Sequence, residues 1–487
     1  MKAKIDLKNI LFSSIIFLLP FVEFLKNNIM EVDIILVKSF FFLIFILFFF
    51  LLICTSIISY FSKSVSFSKI FLIVTIIYWI FFKHNWLNQI IISISNQFTQ
   101  DVFEYSSEIS LLILIIFSIY SSILIYKNNL LFKRFVFIFI FLSFFSSLFQ
   151  IISYNHNLNV AKPKNLNIIN FPDKINNKKE NIYFFILDGM QPIKEFEKYY
   201  KVNKKDFINY VEKKNYKYIH DTVNSYDNTT HSLSALFYLD KIFNEEGKLK
   251  EKSKILFPTI LRKSNKPDLL QVLDNLEYEF KWIGNFFALC PKFNLDYCLN
   301  KDSNSIIDSY LYINFFSQTP LIQSISSLAQ VFNYDFDKHI YFKVNNGMGR
   351  LTNHLRESYK SKNTQTFYFI HNMSPHWPYI TNEDCSYKKY PGNKNFDGYK
   401  SAYLCNLKRV KETIKFLDEF DPNASVVFQS DHNWAMSKNK KERKMTFTLV
   451  KINEKCNLDK NVSWNNVNTL RLIFSCMTGN DPKYIED

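Results

Sequence analysis

The 487-residue chain is long enough for a membrane portion and one large globular domain. Its formal net charge of +15, with 48 basic and 37 acidic side chains after residue 154, suits either a nucleic acid or an anionic membrane and its polar envelope polymers. No basic stripe interleaved with aromatics and no recognition motif occurs, which sets nucleic acid aside. Phe, Ile, Asn and Lys are over-used and Gly and Ala scarce along the whole chain, a bias of an AT-rich genome rather than of a fold.

Five apolar runs open the chain, at about 10–25, 39–62, 70–86, 109–126 and 135–154. Ser39 to Ser62 carries no charge and is long enough to cross a hydrocarbon core of roughly 30 Å. The first run has Glu23 near its end, and no small-residue cleavage site follows Pro20, so it reads as an anchor rather than a signal peptide. Lys2, Lys4 and Lys8 precede span one, Lys63 and Lys69 follow span two, and Lys127, Lys133 and Arg134 follow span four. The alternate loops hold only Lys26, Lys38 and Lys83. The positive-inside rule then puts the N-terminus in the cytoplasm, and an odd number of spans puts everything after Tyr154 outside. Within loop 83–108, Trp86 to Ile94 is expected to lie as an amphipathic helix on the outer surface. Polar residues 155–181, rich in Asn, Lys and Pro, read as a linker, and 182–487 as the catalytic domain.

Cysteine usage agrees with export. Cys54 lies inside span two, while Cys290, Cys298, Cys385, Cys405, Cys456 and Cys476 all follow the linker. An even number in an oxidising compartment predicts disulfides, and the local pairing is 290–298, 385–405 and 456–476. The rival reading, a zinc cluster, lacks any C-x-x-C spacing.

The chemistry gathers where short apolar runs stop. Ile182 to Leu187 ends on Asp188-Gly189; Phe367 to Ile370 ends on His371, with His376 close behind; Ser425 to Gln429 ends on Ser430-Asp431-His432. Runs of this length predict buried strands of a mainly parallel sheet, separated by helices such as 405–418, whose Leu407, Val410, Ile414, Phe416 and Leu417 share a side. Ligands of an open α/β sheet bind beyond the carboxyl ends of its strands. One Asp after a strand is ordinarily a helix cap; three strand ends delivering Asp, His and Asp-His supply oxygen and nitrogen ligands for zinc or manganese.

A hydroxyl nucleophile is expected nearby. Asn224 to Ser232 reads as a polar turn opening a helix, whose N-terminus favours phosphate oxygens. Thr229 and Thr230 are the candidates, and the competing reading makes either of them a simple N-cap.

Together these motifs resemble the alkaline phosphatase/sulfatase superfamily, and above all its membrane-anchored branch of phosphoethanolamine transferases and lipoteichoic acid synthases. The stretches that carry the resemblance are Ile186 to Gly189, Thr229 to Ser232, His371 to Tyr379 and Ser430 to His432, in the family's order, with the five-span anchor beside them. The resemblance implies an α/β/α sandwich of the alkaline-phosphatase type outside a bacterial cytoplasmic membrane, on its periplasmic side. It implies Asp188, Asp431, His432 and the Thr229 hydroxyl as ligands of a catalytic metal. It also implies Thr229 as the nucleophile, because the family's threonine stands three residues before a serine, here Ser232, with Thr230 the fallback. His371 and His376 would bind a second metal or the substrate phosphate, or protonate the leaving group.

Two departures bear on mechanism. Asn433 stands where the family usually has glycine, and no histidine follows His432, so one metal, Zn2+ or alternatively Mn2+, is expected and a second lacks a ligand. The implied activity is transfer of a phospholipid head group, phosphoethanolamine before phosphoglycerol, onto an envelope lipid or glycan. The alternatives are a sulfatase, phosphodiesterase or phosphatase of the same fold, though no C/S-x-P-x-R sulfatase context occurs, and a non-catalytic envelope protein on a decayed enzyme fold.

Overall fold

The computed structural model describes residues 6–28, 34–62, 65–95, 106–160, 180–253, 255–257, 259–262, 266–284, 297–298, 315–320, 338, 342, 346–358, 365–388, 396–434, 439–452 and 464–486. The chain divides into two compact units, residues 1–157 with 308–335, and residues 158–307 with 336–487.

The first unit is helical: α1 (Leu7–Asn27), α2 (Ile34–Phe61), α3 (Phe67–Phe81), α4 (His84–Ser95), α5 (Ser106–Tyr126) and α6 (Leu130–Val160). Among the described residues five helical segments are long and apolar enough to cross a membrane, covering 7–27, 41–61, 67–92 (α3 continuing into α4), 106–126 and 130–153. These overlap all five runs expected from the sequence. The stretch from Trp86 to Ile94 is helical as α4, with both of those end residues exposed. α6 extends to Val160, into the stretch that reads as linker, of which 161–179 lie outside the described residues.

Glu23, the charge in span one, is neutralised within this unit. Its carboxylate lies 2.6 Å from Lys83 Nζ and accepts from Ser143 Oγ at 3.1 Å. An ionised side chain in a membrane segment is costly unless paired in this way. The described residues 315–320 group with this unit as well. Phe315 is fully buried there, 4.6 Å from the Phe21 ring and 4.8 Å from that of Phe82, and Gln318 O accepts from Asn85 N.

The second unit is α/β. Among the described residues its sheet has seven strands in the order β2-β7-β6-β1-β5-β3-β4, with β1 (Ile182–Leu187), β2 (Lys217–Tyr218), β3 (Glu279–Ile283), β4 (Tyr297–Cys298), β5 (Thr366–Asn372), β6 (Ser425–Gln429) and β7 (Thr448–Lys451). β1 lies at the centre, parallel to both β5 and β6, and every one of its residues is buried. The expectation of a parallel sheet holds for β6-β1-β5-β3-β4, whereas β7 and β2 complete one edge antiparallel. Strand register sets the aromatic core: Tyr183 pairs with Tyr368 and Phe185 with Phe428, and their rings stack at 4.8 and 4.4 Å.

The helix expected over 405–418 runs from Phe396 to Phe420, and buries Leu407, Val410, Ile414 and Leu417. Phe416 is only partly buried, beside the core, where it stacks on Phe420. Cys385 and Cys405 form the expected disulfide, and Cys476 is disulfide-bonded as well. Cys290 and Cys456 lie outside the described residues, and Cys298 is described only as backbone in β4. Cys54 is a free thiol.

A candidate metal and nucleophile site at the strand ends

Because β1 is hydrogen-bonded to β5 and β6, the three polar strand ends are brought side by side. Ile186 is level with both His371 and Gln429, so Asp188 and Asp431 follow at neighbouring carboxyl ends. One oxygen of Asp188, one of Asp431 and one ring nitrogen of His432 all lie within 4.8 Å of one another, and all three residues are buried. Among the described residues no other group of His, Cys, Asp or Glu converges in this way.

Each donor is held by a partner on its far side. Asp431 Oδ1 accepts from the backbone of Gly189 at 3.1 Å and of His432 at 2.9 Å, while its Oδ2 has no hydrogen-bond partner. His371 Nε2 meets Asp188 Oδ2 at 3.0 Å, and Asp188 Oδ1 has no hydrogen-bond partner. His432 Nδ1 lies 2.5 Å from the Asn433 carbonyl, which only accepts, so the proton sits on Nδ1 and the Nε2 lone pair faces the cluster. Two buried carboxylate oxygens without partners and one imidazole nitrogen are a donor set that fits zinc.

The electrostatics agree. Burial pushes the Asp188 carboxyl up, but His376, His371 and His432 outweigh it and hold it at about 2. For Asp431 burial and the Asp188 charge act together and raise it. His432 is disfavoured as a cation by burial, yet the Asp431 and Asp188 carboxylates raise it on balance. Two carboxylates this close repel, and a divalent cation between them relieves the repulsion.

Thr229 is the first residue of the helix Thr229–Tyr238, and its Oγ1 lies 3.2 Å from His432 Nε2. The N-cap is Asn228, whose side chain accepts from His231 N at 2.9 Å. The Thr229 hydroxyl is therefore not spent on capping and faces the cluster. Among the described residues the Thr230 hydroxyl has no hydrogen bond to any site residue; its carbonyl accepts from Ser234 Oγ. His376 is half-buried, with Nδ1 2.7 Å from the Trp377 carbonyl, which leaves Nε2 as its reactive nitrogen. Its ring centroid lies 6.4 Å from that of His432. His371, by contrast, is fully buried.

Gly189 is required where it stands. Its φ is +65°, and an added Cβ would sit 3.6 Å from His376 Cδ2 and 3.7 Å from His432 Cε1, filling the space between the two rings. Asn433, which stands where the resembling family has glycine, carries structure instead. Its side chain accepts from Trp434 N at 2.6 Å and donates to Glu442 O at 2.7 Å.

Two supporting residues escape sequence reasoning. Tyr399 OH donates to Gly189 O at 2.9 Å and accepts from Gln191 N at 3.1 Å, pinning the turn after β1. Asn224 Nδ2 donates to Asp431 O at 2.5 Å, and its Oδ1 accepts from Asn466 N at 2.9 Å. Nothing local marks either residue; each acts across about 200 residues of chain.

Fold and site define a chain with five membrane-length helices and an α/β domain carrying a buried Asp–Asp–His cluster beside a threonine. No family model matches the sequence. None of the curated proteins matches it either. Among solved structures it is similar to the C-terminal periplasmic domain of EcEptC from Escherichia coli in complex with Zn, at 15% identity over 64% of this chain and 85% of that one, with a TM-score of 0.39. It is also similar to the integral membrane lipooligosaccharide phosphoethanolamine transferase A (EptA) from Neisseria meningitidis, at 11% identity over 90% of this chain and 88% of that one, TM-score 0.39. A third is the lipoteichoic acid synthase LtaP from Listeria monocytogenes, at 13% identity over 68% and 78% of the two chains, TM-score 0.36.

Proposed function

We propose that this chain is a membrane-bound, metal-dependent phosphotransferase that moves a phospholipid head group onto an envelope lipid or glycan through Thr229. The supporting observation is the position of Thr229 Oγ1, at a helix N-terminus and 3.2 Å from His432 Nε2, beside two carboxylate oxygens without hydrogen-bond partners. Asp188, Asp431, His432 and Thr229 would hold the ion, zinc before manganese. When bound, it would lower the pKa of the Thr229 hydroxyl and draw charge from the phosphoryl oxygens.

The side chains divide the remaining work. The Thr229 oxygen, having first given its proton to water, attacks the phosphorus of the donor phosphodiester in line, and the bond from phosphorus to the diacylglycerol oxygen breaks. His376, protonated on Nε2, gives its proton to that leaving oxygen. The head group then sits on Thr229 as a phosphodiester. In the second half His376 takes the proton of an acceptor hydroxyl, whose oxygen attacks the same phosphorus and restores Thr229. Amides at the start of the Thr229–Tyr238 helix favour the phosphoryl charge throughout. His371 acts as a positioning residue that fixes Asp188.

Phosphoethanolamine is the proposed head group, with phosphoglycerol second, and the domain works on the outer face of the membrane, where donor and acceptor both lie. The test is incubation with a head-group-labelled phospholipid and an envelope acceptor. Label on the acceptor, lost in Thr229→Ala, supports transfer; release of free head group alone identifies a hydrolase. Transfer at the wild-type rate by Thr229→Ala sinks the assignment.

A further inference from the structure

A second charged feature lies beyond His376, on the helix Phe396–Phe420. Arg409 is only 7% exposed, yet among the described residues its guanidinium has neither a hydrogen bond nor an ion pair. Its nitrogens are not among the fully enclosed unpartnered atoms of the described residues, so solvent in the openings that it lines reaches them, and an anion that displaces this water would supply the counter-charge. Burial also draws the Arg409 guanidinium down to about 10, and the charge of Glu412 on the same helix opposes this only partly. Glu412 is itself exposed.

Arg409 lies between two openings. A narrow one is shared with His376 and Ser374. The other is a cavity of about 830 Å3, which Arg350 and Arg356 also line, with Glu412 as its one carboxylate among the described lining residues. Arg350 donates to the Gly284 carbonyl, and Arg356 sits over the Phe416 ring at 5.3 Å, so both have other engagements. Arg409 alone of the three has none. Cys385 lines the same cavity, and its disulfide to Cys405 is one helical turn before Arg409. Thr229 meets His432, the His432 and His376 rings lie 6.4 Å apart, and His376 and Arg409 line one small cavity of about 10 Å3, so neighbouring residues connect Arg409 to the cluster.

We infer that Arg409 is the base of an anion subsite that binds a second phosphate-class group of a substrate, one carried on the part of the molecule that attacks or leaves beside His376. The guanidinium fork suits an oxyanion with two oxygens presented together, and the width of the cavity suits a group attached to a larger molecule. Assigning the anion to a substrate rests on the proposed transfer reaction; the subsite itself does not.

The test uses full-length protein in nanodiscs and titration with inorganic phosphate. An Asp431→Ala background removes the cluster beside Thr229, so remaining binding reports on the cavity lined by Arg350, Arg356 and Arg409, and the Arg409 variants isolate the share of Arg409. Phosphate should still bind there, at least tenfold more weakly after Arg409→Gln, with Arg409→Lys in between. Absence of phosphate binding in the Asp431→Ala protein, or binding unaffected by Arg409→Gln, overturns the subsite. This arm is independent of catalysis, so it stands even if Thr229 proves not to be the nucleophile.

In the otherwise wild-type enzyme, Arg409→Gln should raise one KM about tenfold with kcat little changed. A rise for the acceptor assigns the anion to the acceptor, and a rise for the donor assigns it to the donor; no change in either overturns the substrate assignment. Because the guanidinium has no hydrogen bond or ion pair among the described residues, Arg409→Gln should leave the Tm little changed. A variant that fails to fold, or melts well below wild type, makes the guanidinium structural and overturns the proposal.

Discussion

Thr229 Oγ1 and His432 Nε2 lie 3.2 Å apart, though 203 residues separate them in the chain. The contact joins the first residue of a helix to the end of the β6 segment, and it distinguishes Thr229 from its neighbour Thr230. Thr229→Ala should lower head-group transfer at least about 1,000-fold, as loss of a nucleophile does. Thr230→Ala should stay within a few-fold of wild type. Equal losses in the two variants would remove the distinction.

His371 meets Asp188 Oδ2 from a fully buried position and leaves Oδ1 toward the cluster. Outer partners of this kind orient a ligand, and losing one typically costs roughly 10–100-fold in metal affinity. His371→Ala should therefore weaken zinc binding by that factor without changing the stoichiometry at saturation. Titration with a competing chelator measures it, and unchanged affinity would count against a positioning role.

How much of this was legible in the sequence depends on the range of the interaction. Asp188, His371 and Asp431–His432 were readable because each ends a short apolar run, and a buried β1 between β5 and β6 forces those ends together. The choice between Thr229 and a cap was not decidable locally; it turned on Asn228, which takes the capping role. Tyr399 and Asn224 were invisible, since their partners are 210 and 207 residues away. The antiparallel edge was missed because β2 is only two residues long and carries no pattern. The packing of Phe315 on Phe21 was not readable either, because one aromatic in a Phe-rich chain is not a signal.

The Cys385–Cys405 disulfide joins residues 20 apart and ties the stretch before the helix Phe396–Phe420 to a position within it, between Tyr399 and Arg409. Loop-closure entropy makes such a link worth roughly 3 kcal/mol. Thermal unfolding with and without reductant, and of Cys385→Ala with Cys405→Ala, should show a lower Tm in both cases. A Tm unmoved by either treatment would mean that the link adds nothing to the folded state.

His354 provides a pH-dependent contribution well away from the strand ends. Burial, followed by the nearby Lys281 charge, lowers its imidazole to about 4. In the unfolded chain it titrates near its ordinary value of about 6.5. Between those values the unfolded state binds more protons, so stability rises with pH; it is fully present above about 6.5 and lost as pH falls toward 4. The Tm of wild type should drop between pH 7 and pH 5, and the drop should be smaller in His354→Leu. Parallel pH profiles for the two proteins would contradict this.

The most direct measurement is to trap the intermediate. Full-length protein loaded with zinc is incubated with a phospholipid bearing an isotopically labelled head group, without acceptor, quenched in acid and digested. Mass spectrometry should find the labelled head-group phosphate on the peptide containing Thr229, and on no peptide of Thr229→Ala. Label on another residue, or turnover of the phospholipid by Thr229→Ala, would contradict a threonine-centred transferase.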